Sequence, residues 1–216
     1  MIRVLIADDQ ELVRTGFRMI LEASEGIEVV GDVANGRDAV TKALHLRPDV
    51  CLFDVRMPEM DGIEATRQIA GTDVADPINV VIVTTFDTDE NVYGALEAGA
   101  TGFLLKNAGP QLLIEAVRSA AAGDALISPS VTRRLLEHVH RNAGLANRKQ
   151  PTAALTEREE EVLAAVARGL TNNEIAEALF ISLGTTKAHI AHLMEKLHAR
   201  NRVELVIWAY ETNRIS

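Results

Sequence analysis

Three aspartates, a threonine and a lysine close the apolar runs of the first half of this chain. Val50-Cys51-Leu52-Phe53 runs into Asp54, and Val55-Arg56-Met57-Pro58-Glu59-Met60-Asp61-Gly62 follows. An apolar run of that length, ended by an acid and then by Pro and Gly, reads as a buried strand that delivers one carboxylate to its C-terminal end. Arg3-Val4-Leu5-Ile6-Ala7 ends in Asp8 and Asp9, Asn79-Val80-Val81-Ile82-Val83 in Thr84 and Thr85, and Thr101-Gly102-Phe103-Leu104-Leu105 in Lys106. In a parallel sheet these ends share one rim, where open α/β sheets bind ligands. Three carboxylates, a hydroxyl and an ammonium on one rim suit a divalent cation and a phosphoryl group. Clustered acids repel one another unless a cation sits among them. Mg²⁺ takes oxygen ligands and keeps several of its waters, so few protein groups suffice. The competing explanation makes Asp8, Asp9 and Asp54 ordinary helix N-caps. Capping, however, asks for no Thr and Lys at the matching ends of other strands.

The elements that must position these groups alternate. Strands are expected near 2–7, 27–33, 49–54, 79–84 and 101–105, and helices near 10–24, 36–46, 62–71, 89–98 and 110–122. Five such alternations predict a doubly wound α/β domain with a five-stranded parallel sheet over residues 1–124. Gly26 and Gly99 stand where helix C-caps are expected. Pro48 closes a helix, and Pro110 suits the first turn of the next.

Charge is distributed unevenly. Residues 1–124 carry 10 Lys+Arg against 21 Asp+Glu, residues 125–150 carry 5 against 1, and residues 151–216 carry 7 against 9. Such a shift marks separate units with different partners. Residues 125–150 read as a linker that contains a short helix. Ser128-Pro129 is its start signal, and Leu135, Leu136 and Val139 share one side. The stretch 142–153 lacks periodicity and reads as a flexible connection.

Residues 151–216 read as four helices. Thr156 with Glu159, and Thr171 with Glu174, form capping boxes; Ser182 caps a third helix, and a fourth spans about 203–211. Gly169 sits just past the end of the first. Only about three residues, Phe180-Ile181-Ser182, separate the second helix from the third. A unit of this kind lays its second helix in the DNA major groove. Thr185, Thr186, Lys187, His189 and His192 are expected on the exposed side, and Ile190, Leu193 and Leu197 inward. Between Ser182 and Arg202 the cations are Lys187, Lys196, Arg200 and Arg202, against Glu195 alone. His189 and His192 share a face, but no acid or Cys completes a metal set, so contact with phosphate or bases is the simpler role.

The ordered set Asp8-Asp9, Asp54, Met57-Pro58-x-x-Asp61-Gly62, Thr84 and Lys106 resembles the receiver domain of two-component response regulators. Leu155-Thr156-x-Arg158-Glu159-x-Glu161-Val162-Leu163, Gly169-Leu170-Thr171-Asn172-x-Glu174-Ile175-Ala176, Ser182-x-x-Thr185-x-Lys187-x-His189, Lys196-Leu197 and Asn201-Arg202 resemble the LuxR-type helix-turn-helix. Joined in this order, the two units are similar to NarL/FixJ-family response regulators. The resemblance implies a flavodoxin-like strand order 2-1-3-4-5. It implies that Asp54 accepts the phosphoryl group from a sensor histidine kinase and that Asp8, Asp9, Asp54 and the Arg56 carbonyl hold Mg²⁺. It further implies that Lys106 and Thr84 bind phosphoryl oxygens and that Phe103 follows Thr84 in a switch. The family commonly has Pro after the Lys, joined by a cis bond, whereas Asn107 follows Lys106 here. Thr185-Thr186-Lys187 stands where Thr-Val-Lys is usual, and Leu183-Gly184 replaces a common Glu-Gly type of pair.

The implied function is a transcription factor that catalyses its own phosphorylation, binds double-stranded DNA and dimerises when phosphorylated. It is not an enzyme in the ordinary sense. The alternatives are a stand-alone phosphotransferase or phosphatase, which has no need of a DNA-binding unit, and a phosphorylation-independent regulator, which has no need of the complete acid, Thr and Lys set. One cysteine, Cys51, excludes an internal disulfide and fits a reducing cytosol. The expected strand at the N-terminus leaves no place for a signal peptide, and no apolar stretch reaches membrane-span length. A cytoplasmic protein with no membrane partner is expected.

Overall fold

The computed structural model describes residues 1–85, 88–127, 154–199, 201–212 and 214. The chain divides into two compact units, Met1–Val131 and Thr132–Ser216. The expected Ser128-Pro129 helix start, the short helix and the 142–153 connection lie outside the described residues.

The first unit alternates β1 (Ile2–Ala7), α1 (Glu11–Glu22), β2 (Ile27–Val33), α2 (Gly36–Leu46), β3 (Val50–Phe53), α3 (Gly62–Ala70), β4 (Asn79–Thr84), α4 (Asp89–Glu97), β5 (Gly102–Leu105) and α5 (Pro110–Ala122). All strand pairs are parallel. The order is β2-β1-β3-β4-β5, with β6 (Leu126–Ile127) added at the edge. The sixth strand was not expected. Two residues are too few to show a period, and they carry the sheet past the anticipated limit at residue 124.

Strand residues alternate between two buried faces. Val4, Ile6, Leu52, Val81, Val83 and Leu104 pack with Leu21 of α1 and with Leu113, Ala116 and Val117 of α5. The intervening Leu5, Cys51, Phe53, Ile82 and Phe103 are fully buried as well. A parallel sheet covered on both faces therefore reads as unbroken apolar runs. Burial also pushes the Cys51 thiol well above its ordinary pKa.

The helix ends follow local chemistry. Asn35, Asp61 and Thr88 cap α2, α3 and α4 through their side chains. Arg47 in the left-handed region ends α2 ahead of Pro48, and Gly99 ends α4 with φ 102°. Gly26 also has positive φ but lies beyond the Ala23 cap of α1, in the turn into β2. Two glycines let backbone approach backbone around the loop after β3. A Cβ on Gly62 would meet the Asp54 carbonyl oxygen at 1.9 Å, and one on Gly36 the Met60 carbonyl oxygen at 2.2 Å.

The second unit comprises α6 (Glu157–Ala167), α7 (Asn172–Ala178), α8 (Leu183–Leu197) and α9 (Arg202–Glu211). Both expected capping boxes form, at Thr156 and at Thr171, and Ser182 caps α8. The core gathers Val162, Leu163, Val166, Ile175, Ile190 and Leu193 with Leu205 and Trp208. Glu159 does more than complete its box. It accepts hydrogen bonds from the Thr156 amide and from Lys196 Nζ of α8, both at 2.8 Å. The Lys196 contact, followed by the Thr156 amide, holds its pKa down at about 2.

Two consequences are measurable by urea unfolding. Trp208 is the chain's one tryptophan, so its fluorescence reports the second unit separately. Glu159→Gln is expected to destabilise that unit by roughly 1.5–3 kcal/mol at neutral pH, the range for hydrogen bonds to charged groups. A depressed acid stabilises fully above its unfolded pKa and less below it. The Glu159 contribution is therefore complete above the ordinary 4.5 and fades as pH falls toward 2. The gap between wild type and variant narrows over that window. Gly62→Ala drives a methyl into the Asp54 carbonyl and is expected to cost the first unit about 1–3 kcal/mol. That loss is read by circular dichroism.

Candidate functional site

The strand order places Asp8 beside Asp54, Thr84 beside Asp54, and Lys106 beyond Thr84. Asp54 N donates to the Ala7 carbonyl at 2.9 Å, which seats the end of β3 against the end of β1. Lys106 N donates to the Thr84 carbonyl at 2.9 Å, which seats the end of β5 against that of β4. The long Lys106 side chain crosses the rim from there. Its Nζ donates to Asp54 Oδ2 at 2.8 Å and ion-pairs with Asp8 Oδ2 at 2.6 Å. Asp8, Asp54 and Thr84 are buried, whereas Asp9 is exposed.

Carboxylate oxygens of Asp8, Asp9 and Asp54 lie within 4.8 Å of one another. Burial raises the Asp8 pKa, against the pull of its Lys106 and Gln10 hydrogen bonds. Burial also opposes the Lys106 charge, but the bonds to Asp54 and Asp8 prevail and raise its pKa. Asp54 Oδ1 is buried without a hydrogen-bond partner. A buried carboxylate oxygen in that state has a lone pair open to a water or an ion. Three carboxylates with one ammonium keep a net negative charge, so the donor set fits a hard divalent cation.

The acids are not caps. The N-cap of α1 is Gln10, whose side chain makes no capping bond. Asp8 Oδ1 instead accepts from Gln10 N at 2.9 Å, an Asx turn that fixes the loop. The loop after Asp54 is closed by Gly62 N donating to the Val55 carbonyl at 2.8 Å and by Asp61 capping α3. Arg56 is exposed in that loop. Phe103 is fully buried beside the Thr84 strand. No peptide bond among the described residues is cis, so Lys106–Asn107 is trans.

In the second unit α7 and α8 are joined by a tight turn in which Phe180 has φ 54°. Thr186, Ile190, Leu193 and Leu197 form the buried stripe of α8. Thr186 thus corrects the expectation of an exposed residue. It falls one helical turn before Ile190, and its hydroxyl donates to the Ser182 carbonyl at 3.2 Å. Thr185, Lys187 and His192 are exposed, and His189 is half-buried. Gly184, Ala188 and Ala191, not among the expected contact residues, lie on the exposed side as well. Their small side chains gave no chemical signal.

The charge count also changes meaning. Lys196 is engaged with Glu159. Arg202 is buried, donating to Asn172 Oδ1 at 2.8 Å and to the Leu170 carbonyl. Both cations tie helices together. Arg200 lies outside the described residues, and Lys187 is the exposed member of the other three. Sequence reasoning also passed over Arg14, which donates to the Asp8 carbonyl at 2.7 Å. Its helical position gave no sign that the side chain turns back toward the rim.

Comparison with known proteins gives a family for each unit. Residues 4–118 match the response regulator receiver domain family, and residues 153–209 match the bacterial regulatory proteins of the luxR family. The chain is 39% identical over 216 residues to the transcriptional regulatory protein LiaR of Bacillus subtilis, covering 100% of both chains. It is 39% identical over 214 residues to the response regulator protein VraR of Staphylococcus epidermidis, covering 99% of each. Among solved structures, the response regulator ChrA of a heme-sensing two-component system aligns over 99% of this chain and 98% of its own, with TM-score 0.53 and 36% identity. A structure of two RcsB dimers bound to two parallel DNAs aligns over 97% and 98%, with TM-score 0.56 and 27% identity. With both family matches in order along one chain and full-length relatives at this identity, the protein belongs to the NarL/FixJ type of response regulator, a receiver domain joined to a LuxR-type DNA-binding domain in a transcriptional regulator.

Proposed function

We propose that this regulator is controlled by phosphorylation of Asp54, with a sensor histidine kinase as donor and Mg²⁺ as cofactor. The observation that carries the reading is the Asp54 carboxylate itself. One oxygen is bound by Lys106, and the other is buried and unpartnered at the rim. Asp54 Oδ1 attacks the phosphorus, a P–O bond forms to it, and the P–N bond to the donor histidine breaks. Asp8, Asp9, Asp54 and the Arg56 carbonyl would hold Mg²⁺, which would supply positive charge against the phosphoryl oxygens. Lys106 exchanges its Asp54 contact for a phosphoryl oxygen. The Thr84 hydroxyl donates to another, and Phe103 adjusts in the space beside Thr84. These residues make the receiver a catalyst of its own modification.

The output is binding to double-stranded DNA. The exposed side of α8 enters the major groove, with Thr185, Lys187, His189 and His192 reaching phosphates or base edges. Thr186 is left out of that set, because its side chain is buried. Phosphorylation favours a homodimer, which suits half-sites about one DNA turn apart, near 10 bp. We assign the protein to the cytoplasm, a placement that the lone buried thiol supports. Among the described residues, no helix is long and apolar enough to cross a membrane.

Asp54→Asn is expected to abolish the acid-labile phosphoryl adduct formed with acetyl phosphate and Mg²⁺, read by intact-mass spectrometry. A persisting adduct would place the modification on another residue. Lys187→Ala is expected to weaken DNA binding while phosphorylation proceeds as in wild type. If Lys187 meets a phosphate, all sequences lose affinity alike and the log–log salt slope falls by about 0.9. If it reads a guanine, discrimination at one base pair drops by roughly 1–3 kcal/mol. Operator affinity equal to wild type in fluorescence anisotropy would remove Lys187 from the interface.

A further inference from the structure

We infer that Arg14 is a positioning residue for the acid-pair loop, holding the Asp8–Asp9 peptide in the orientation that the cation site needs; the inference rests on the Mg²⁺ reading above. Arg14 lies in the second turn of α1, facing back toward the rim. Its Nη1 donates to the Asp8 carbonyl at 2.7 Å. That oxygen belongs to the peptide that links the two acids. Asp8 N donates to the Val33 carbonyl at 3.2 Å, and Asp8 Oδ1 accepts from Gln10 N at 2.9 Å. The turn is therefore tied to β2, to its own α1 start, and through Arg14 to the body of α1. The direction in which exposed Asp9 leaves the chain is set by this peptide. A metal ligand held in place by its surroundings loses less freedom when it binds.

A guanidinium beside a cation site would repel the cation, and the structure answers that with Asp32. Arg14 Nε lies 3.5 Å from Asp32 Oδ1. Arg18 pairs with Asp32 Oδ2 and reaches Glu22 Oε1 at 2.8 Å. The Arg18 hydrogen bond, chief among these contacts, lowers the Asp32 pKa, so the carboxylate stays charged. Asp32, shared with Arg18, offsets the Arg14 charge. The Arg14 side chain is 16% exposed, so this charge pair is partly shielded from solvent. The position sets one cation against two oxygens: Nη1 donates to the Asp8 carbonyl, while Nε lies within ion-pair reach of Asp32. Arginine has that fork and lysine does not.

Calorimetric titration of the full-length chain with Mg²⁺ tests the inference. Arg14→Ala is expected to raise the Mg²⁺ Kd by about tenfold, the lower end for outer-shell partners of metal sites. Asp32→Asn should raise it less, and the double variant should fall short of the product of the two single effects, since the residues act as a unit. At saturating Mg²⁺ the rate of phosphorylation by acetyl phosphate should return to within about twofold of wild type, because Arg14 touches no reacting atom. A general structural defect would not be repaired by Mg²⁺ in this way. Arg14→Lys, which keeps the charge and one donor, should give an intermediate Kd. Asp9→Ala is the control and should lose Mg²⁺ binding. Wild-type Kd in Arg14→Ala, or in Arg14→Lys if the alanine variant does not fold, overturns the Arg14 inference while the metal reading stands. Wild-type Kd in Asp9→Ala as well overturns the metal reading and this inference with it.

Discussion

The Lys106 ammonium, shared between Asp8 and Asp54, is the contact around which the first unit is organised. Asp8, Asp9 and Asp54 bring carboxylate oxygens within 4.8 Å of one another. At such separations two unit charges interact by about 4 kcal/mol for an effective dielectric near 20. That is a large share of a folding stability of roughly 5–15 kcal/mol. One ammonium bound to both buried acids offsets much of this repulsion. The contact also explains the sheet order. Lys106 comes from β5 and must cross the end of β4 to meet acids on β3 and β1. A short cation could not span that width, and a different strand order would separate the partners. Gly62 and Gly36, where a side chain would strike backbone, allow the Asp54 loop to close without moving the acid.

The second unit spends its charge differently. Glu159 is at once the end of a capping box and the anchor of Lys196, so the start of α6 is tied to the last turn of α8. Arg202 ties the start of α9 to the α7 entry through Asn172 and the Leu170 carbonyl. These links fix the angle at which the recognition helix is presented. They also withdraw cations from the surface. The exposed side of α8 keeps Lys187 beside the small residues Gly184, Ala188 and Ala191.

Much of this was legible in the chain. Apolar runs ending in Asp, Thr or Lys announced both the parallel sheet and the gathering of those residues on one rim, because burial on two faces removes polar residues until the strand ends. Cap signals at Thr156, Thr171 and Ser182 located the helices of the second unit, since their side chains act within four residues of themselves. The failures involve contacts between residues far apart in sequence. Arg14 with Asp32, Glu159 with Lys196, and Arg202 with Asn172 leave no local pattern. Thr186 was misplaced because neighbouring residues in a helix point about 100° apart, so flanking Thr185 and Lys187 say little about it. The two-residue β6 was invisible for want of length. Asp8 shows the reverse case: its Asx turn was mistakable for capping, and the spacing to Lys106 decided correctly.

Cys51 has a practical consequence. The thiol is the chain's one sulfhydryl, sits in the middle of β3 and is sealed on both faces of the sheet. Reagents that attack thiolates find neither access nor a charged sulfur there. The natural chain is thus chemically silent toward maleimides while it remains folded. A pair of cysteines introduced at exposed positions, one in each unit, could carry dyes or spin labels without first removing the native residue. The separation of the receiver and its DNA-binding partner would then be measurable in solution, in an otherwise unaltered background.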